Sequence, residues 1–244
     1  MCDHCGCSPT THEHDHDHPH EHTEVRSVDV RESVLSLNSR LAERNRGFFL
    51  GRHIVAINML SGPGAGKTTL IEHTVSECPE LGIGVVVGDL ETENDAERIR
   101  ACGAEAVQIT TGEVCHLDAH MVQHAIEKLT LEHIRILIIE NVGNLVCPAS
   151  FDLGERARVV LMSVTEGEDK PLKYPVIFHN ADLVLVTKVD LADAVEFNRE
   201  RAMANIRKVA PGSSILEISS KSGQGIRDWY EWIKQLSPAT AHAH

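Results

Sequence analysis

The sequence has no apolar run approaching the ~18–20 residues that a membrane-crossing helix needs. Its amino end also lacks the short apolar core of a secretion signal. Together these absences predict a cytoplasmic chain with no membrane partner. Positive charge is scarce as well: 23 Lys and Arg stand against 36 Asp and Glu, a formal net charge of −13. Such a balance repels a phosphate backbone, so nucleic acid is not an expected partner. No internal repeat is evident. A disulfide framework is not expected in a cytosolic chain of this length, so seven Cys and sixteen His favour metal binding, with Cys78, Cys102, His53, His73, His133 and His179 read as packing residues.

Those residues concentrate at the amino end. Residues 1–24 begin Met-Cys-Asp-His-Cys-Gly-Cys and continue with His alternating with Glu, Asp and Pro. Cys2, Cys5 and Cys7 fall within six residues. Three thiolates so close can wrap one soft or borderline cation, with Gly6 permitting the turn and the α-amine or His4 as a fourth donor. His12, His14, His16, His18, His20 and His22 follow in a tract that cannot build a core and is expected to be a disordered tail. Its imidazoles suit weak binding of several Ni²⁺, Cu²⁺ or Zn²⁺ ions. Residues 25–52 place Val30, Val34, Leu37 and Leu41 at helical spacing, which predicts an amphipathic lead-in helix. Residues 53–237 are the expected globular domain, and 238–244 a short carboxyl tail.

Within that domain apolar runs and helix-compatible stretches alternate. Ile54–Leu60, Ile83–Gly88, Ala106–Ile109, Ile136–Ile139, Val159–Val164, Leu183–Val186 and Ile215–Ile218 are strand candidates. Helices are expected over 67–78, 94–102, 118–131, 192–209 and 225–236, the last carrying Trp229 and Trp232 as packing residues. Repeated βα units predict an α/β fold, a mostly parallel sheet with helices on both faces and ligands at the carboxyl ends of the strands.

The first strand runs into Ser61-Gly62-Pro63-Gly64-Ala65-Gly66-Lys67-Thr68-Thr69. Strand, Gly-rich turn, Gly-Lys-Thr and helix form a P-loop: successive backbone N–H groups cradle phosphate oxygens, and the helix N-terminus adds its positive end. Lys67 is placed for the β- and γ-phosphates and the Thr68 hydroxyl for Mg²⁺. Ser61 stands where the first glycine of the pattern usually stands. Asp89 and Asp95, after the second strand, are candidates to hold the hydration shell of that Mg²⁺ or to orient the attacking water. A plain solvated acidic loop is the alternative. Glu140 ends the run Ile136-Leu137-Ile138-Ile139 as the acid of a Walker B strand, and Gly143 can donate its N–H to a γ-phosphate and move when that phosphate leaves, making 140–148 a switch candidate.

Thr187-Lys188-Val189-Asp190 reads as a guanine-specificity element with Thr in place of the usual Asn. The Asp190 carboxylate suits the N1–H and N2 amine of guanine, which adenine lacks. The Lys188 stem is expected to cover one face of the base, and Ser219-Ser220-Lys221 to support its O6. A second metal candidate joins Cys115 and His116 to Cys147, with water, another side chain or a symmetry mate as the fourth ligand. His120 and His124 continue the same helix face and can join it.

These elements in this order resemble the HypB family, GTPases that help load nickel into [NiFe]-hydrogenases. The residues that carry the resemblance are the loop at 61–69, Thr110-Thr111-Gly112-Glu113-Val114-Cys115-His116-Leu117-Asp118, and Glu140-Asn141-Val142-Gly143-Asn144-Leu145-Val146-Cys147-Pro148. The match runs over roughly residues 30–236. It implies a P-loop fold of the signal-recognition-particle and MinD-like branch, Mg²⁺-dependent hydrolysis of GTP to GDP, and zinc or nickel at Cys115, His116 and Cys147. Hydrolysis is expected to be slow, because no arginine finger can be assigned in the sequence. The resemblance also implies a GTP-promoted homodimer, a HypA-type metallochaperone as partner and a hydrogenase large subunit served indirectly. Cys2-x-x-Cys5-Gly6-Cys7 looks like that family's nickel motif. A urease-accessory nickel GTPase and a nickel-storage protein remain the rival expectations.

Overall fold

The structure, a computed structural model, describes residues 22–89, 94–112 and 114–236, with side chains from Glu32 onward. The Cys2/Cys5/Cys7 motif and the His tract up to His20 lie outside the described residues, and His22 is described only as the first residue of a helix. The chain forms two compact units, one ending at Val34 and the other beginning at Leu35. The described part of the first unit is the start of helix α1 (His22–Gly51), and everything below concerns the second.

In chain order the elements after α1 are β1 (Val55–Ser61), α2 (Lys67–Glu77), β2 (Ile83–Asp89), α3 (Asn94–Ala101), β3 (Glu105–Thr110), α4 (Ala119–Ile126), β4 (Ile136–Glu140), β5 (Ala157–Ser163), α5 (Lys170–Lys173), α6 (Pro175–His179), β6 (Leu183–Thr187), α7 (Arg199–Val209), β7 (Ser214–Glu217) and α8 (Ile226–Leu236). All seven expected strands are present and form one parallel sheet, ordered β3-β2-β4-β1-β5-β6-β7.

The central strands are apolar because both faces are covered, whereas β3 and β7 at the sheet edges are partly exposed. Alternate residues go to opposite sides. Ile57, Met59, Val85, Val87, Ile136, Ile138, Val159, Leu161, Leu183 and Leu185 pack with Leu70, Ile71 and Val75 of α2, Ile99 of α3 and Trp229 and Ile233 of α8. Their neighbours face the other way: Ala56, Val86, Leu137 and Ile139 meet Phe49 of α1 and Val122 and Ile126 of α4, and Val160, Met162, Val184 and Val186 meet Phe178 of α6 and Met203 and Ile206 of α7. Trp229 is fully buried and its Nε1–H donates to Thr74 Oγ1 at 2.8 Å, so its one polar group is satisfied in the core.

Three boundaries differ from expectation. The lead-in helix expected over 25–52 begins already at His22 and ends at Gly51. The helix expected from 118 stops at Ile126. That expected from 192 starts only at Arg199, where the Asn198 side chain caps the first turn by accepting from Arg201 N at 2.9 Å.

The parallel order puts β1 between β4 and β5. The carboxyl ends of β1, β2, β4, β5 and β6 therefore all open on one sheet edge, which is where this architecture places ligands.

Candidate functional site

The loop after β1 is formed by its sequence. Gly64 and Gly66 have φ of +70° and +97°, a backbone region that side-chain-bearing residues rarely adopt. The turn they make delivers Gly66 as the N-cap of α2 and Lys67 as its first residue. Lys67 is buried, and its ammonium donates to Ser61 Oγ at 2.8 Å. Ser61 is itself fully buried and donates to Gly62 O at 2.6 Å. The residue that departs from the usual glycine thus supplies an acceptor for the desolvated cation. Burial holds the Lys67 ammonium below the usual lysine range, against the opposing pull of Glu140, Asp95, Glu166 and Asp89.

Thr68 donates its hydroxyl to Glu140 Oε1 at 2.8 Å. The other carboxylate oxygen, Oε2, is buried and has no hydrogen-bond partner. Burial pushes the Glu140 carboxyl up to about 7 although Lys67 lies nearby. A hydroxyl beside an orphaned, desolvated carboxylate oxygen is the donor set a hard divalent cation satisfies, so these two residues fit Mg²⁺.

One cleft is lined by the loop from Pro63 to Thr69 with Asp89, Asp95, Glu140 and Gly143. A second is lined by Thr187, Asp190, Ser219, Ser220 and Lys221. Ala65, Gly66, Thr69 and Lys188 line both, so the two are continuous, as a nucleotide's phosphate and base ends require. Asp190 Oδ1 accepts from the Ser219 hydroxyl at 2.6 Å, which fixes the carboxylate's orientation. Thr187 and Lys188 also reach the phosphate loop. Thr187 Oγ1 donates to Ala65 O at 2.8 Å, and Lys188 Nζ, on a residue at φ +58°, donates to Gly64 O at 2.6 Å. Both brace the phosphate loop from β6. A further groove between α1 and α4, lined by Arg44, Phe48, Gln123 and Thr130, carries none of these motifs.

Cys115, His116 and Cys147 come together, with one ligand atom of each within 4.8 Å of the others. The His116 ring stacks on Phe151 with centroids 3.9 Å apart, and burial holds its imidazole below the usual range, which keeps a lone pair for a metal. The Cys115 thiol beside Cys147, and then burial, raise Cys147. His120 and His124 do not join the three. Their Nε2 atoms lie 3.1 Å from each other on α4, and His124 Nδ1 lies 3.3 Å from Glu127 Oε2.

The phosphate cleft and the Cys/His cluster share one segment. Gly143 packs so closely on the loop that an added Cβ would stand 3.1 Å from Pro63 Cα. Asn141 accepts from Leu117 N at 3.1 Å and Val142 N at 3.0 Å through one oxygen, and donates to Asn58 Oδ1 at 3.3 Å. Asn144 donates to Cys115 O at 3.4 Å and accepts from Val146 N at 2.8 Å. Two carboxamides thus tie residues 140–147 to the backbone of the Cys115–Leu117 segment. Neither is apparent in the sequence, because an amide bonding a backbone group 24 to 29 residues away leaves no local spacing.

Residues 56–217 match the model of a family described as CobW/HypB/UreG, nucleotide-binding domain. The hydrogenase maturation factor HypB of Escherichia coli K12 is 50% identical over 210 residues, 86% of this chain and 72% of that protein. The chain belongs to the HypB family. The hydrogenase/urease maturation factor HypB of Helicobacter pylori is 40% identical over 212 residues, covering 85% of this chain and 87% of its own. The crystal structure of Helicobacter pylori HypB in complex with nickel superposes with a TM-score of 0.78 at 40% identity, over 81% of this chain and 94% of that one. The 54 kDa signal recognition particle protein of Aeropyrum pernix K1 in complex with GDP gives a TM-score of 0.52 at 15% identity, covering 77% of this chain and 47% of that one, and shares the fold alone. The parallel-sheet fold of this chain is thus shared with the Helicobacter pylori HypB structure.

Glu140 makes a pH dependence measurable without any ligand. Its folded-state value is raised from 4.5 to about 7. A raised carboxyl contributes full stability below its unfolded value, and that stability is lost as pH rises toward the folded value. In nucleotide- and metal-free protein, stability is expected to fall between about pH 4.5 and 7 by up to roughly 1.4 kcal/mol per unit. Glu140→Gln should remove that slope. Chemical denaturation of both proteins at several pH values checks it, and parallel curves would contradict it.

Proposed function

We propose that this chain is a GTP-hydrolysing metallochaperone that carries nickel for insertion into a [NiFe]-hydrogenase. The reading rests on one observation above the others: residues 140–147 place Glu140 and Gly143 against the phosphate loop and Cys147 against Cys115 and His116, with Asn141 and Asn144 tying the two ends to a common backbone segment.

In this reading the loop amides from Gly62 to Thr69 and Lys67 hold the phosphates. Thr68 and Glu140 hold Mg²⁺, which supplies positive charge to the β- and γ-phosphates. Asp89 and Asp95 orient the attacking water, and Gly143 meets the γ-phosphate through its N–H. Asp190, fixed by Ser219, selects guanine, with Ser220 and Lys221 beside the base and Thr187 and Lys188 steadying the loop. Loss of the γ-phosphate lets 140–147 move, and the Cys147 thiolate moves with it. Hydrolysis therefore changes the geometry of the Ni²⁺ or Zn²⁺ site and releases or redirects its cargo. Cys2, Cys5, Cys7 and His12 to His22 supply further nickel ligands at the amino end. A GTP-promoted homodimer with the Cys/His site at or near its interface, a HypA-type metallochaperone and, indirectly, the hydrogenase large subunit are the partners. The Helicobacter relative's double name keeps urease as the competing target.

The test is restoration in cells lacking the chromosomal copy. Wild-type protein is expected to restore hydrogenase activity, with urease activity unchanged. Lys67→Ala and Cys147→Ala are each expected to restore under about a tenth of it. Full restoration by Lys67→Ala would favour nickel storage, and a selective effect on urease would favour that target.

A further inference from the structure

The phosphate cleft contains a guanidinium that no motif predicts. Arg98, on α3, lines it together with the loop, Asp89, Asp95 and Glu140, and is the one arginine among the described residues that does so. Its two terminal nitrogens are divided. Nη1 donates to Asp95 Oδ1 at 3.2 Å, one turn back on the same helix, and Nη2 donates to Glu72 Oε2 at 2.7 Å. Glu72 belongs to α2, the helix opened by the phosphate loop, and is the more buried partner, 19% exposed against 49% for Arg98. The other two cations lining the cleft are already engaged, Lys67 on Ser61 and Lys188 on Gly64 O. Three carboxylates line the same space.

We propose that Arg98 is a catalytic residue for the triphosphate, supplied by the chain itself, and that Glu72 holds it in reserve until nucleotide and metal claim Asp95. The inference rests on the GTP-hydrolysis reading above. In the reaction, water oxygen bonds to the γ-phosphorus while the bond from that phosphorus to the β–γ bridging oxygen breaks. GTP and water give GDP and inorganic phosphate, and the water proton leaves with the phosphate or to solvent. Charge builds on the bridging and γ-oxygens, and a guanidinium fork donating there stabilises the transition state more than the bound substrate. In the present arrangement both carboxylates compete for that fork. Asp95 is the partner that a nucleotide complex recruits, which leaves Glu72 as the remaining restraint. Arg98 also sits close enough to Glu140 to hold its carboxyl lower than burial alone would, so its charge reaches the metal end of the cleft.

An ion pair that merely staples α2 to α3 makes a different prediction. Removing either partner would then have the same sign of effect, a small loss of stability with an unchanged rate. Arg98 as a catalytic cation demands opposite signs. Full-length wild-type, Arg98→Ala, Arg98→Lys and Glu72→Gln proteins are compared by single-turnover hydrolysis of GTP with Mg²⁺ and by equilibrium binding of GDP. Arg98→Ala is expected to slow the single turnover by about a hundredfold or more. Arg98→Lys should recover part of that, GDP affinity should stay within about twofold, and Glu72→Gln should hydrolyse faster than wild type. Arg98→Ala at the wild-type rate, or Glu72→Gln slowed alongside Arg98→Ala, overturns the proposal. If wild-type protein turns over ATP as readily as GTP, or neither, the underlying GTPase reading fails instead.

Discussion

Lys67→Ala is expected to lower the single-turnover rate of GTP hydrolysis by about a thousandfold, the upper range for removing one preorganised cationic donor from a desolvated site. The residue is buried and its ammonium donates to the Ser61 hydroxyl. Desolvation alone would expel such a charge. Glu140, Asp95, Glu166 and Asp89 together pull it back, Glu140 most strongly. With Lys67 gone, those carboxylates face a highly anionic triphosphate with their closest buried counter-charge missing. GDP binding should suffer less, since Asp190, Ser219 and the loop braces from Thr187 and Lys188 remain. Folding should not suffer at all, because burying a lysine is costly in the ligand-free protein. The experiment pairs a single-turnover assay with a thermal melt. A rate within a few-fold of wild type, in protein that melts normally, would contradict the assigned role.

What is legible in the sequence depends on what each feature writes into it. All seven strands are legible because strands of a parallel sheet are rich in apolar residues, most completely in the central β4 and β6 that are buried throughout. The phosphate loop is legible because its turn needs small residues at fixed offsets. α5 and α6 are not. They are turns of 4 and 5 residues with Pro171 and Pro175 near their starts, too short for a helical period to register. The role of Ser61 is hidden too, since a departure from the glycine pattern reads as a weakness until Lys67 is seen resting on it. Arg98 reads as an ordinary cation in the last turn of a helix, and only the α2–α3 packing puts it in the cleft. The bond from the Thr187 hydroxyl to the loop carbonyl of Ala65 is not legible either, because it spans 122 residues and no local pattern encodes it.

The second large effect concerns the metal. Residues 140–147 bind the phosphate side through Gly143, whose closeness to Pro63 leaves no room for a side chain without displacement. They bind the metal side through Cys147, within 4.8 Å of the Cys115 and His116 ligand atoms. Asn141 and Asn144 tie both ends to the 115–117 backbone by hydrogen bonds of 3.1 and 3.4 Å, and in the proposed function a shift in one end is carried to the other. Coupling free energies between two sites of one domain commonly change affinity about 5- to 150-fold, and linkage makes the effect reciprocal. Asn141→Ala should shrink the coupling while leaving the three metal ligands in place, because it removes the tie and not the donors.

The most direct measurement is therefore a nickel titration of the full-length protein and of Cys147→Ala, each saturated in turn with GDP and with a non-hydrolysable GTP analogue in Mg²⁺. The wild-type protein should bind nickel at the Cys115/His116/Cys147 site with affinities that differ at least about fivefold between the two nucleotides. Cys147→Ala should lose both that binding and the difference. Equal nickel affinity in the two nucleotide states, with the site intact, would contradict a nucleotide-controlled metal site.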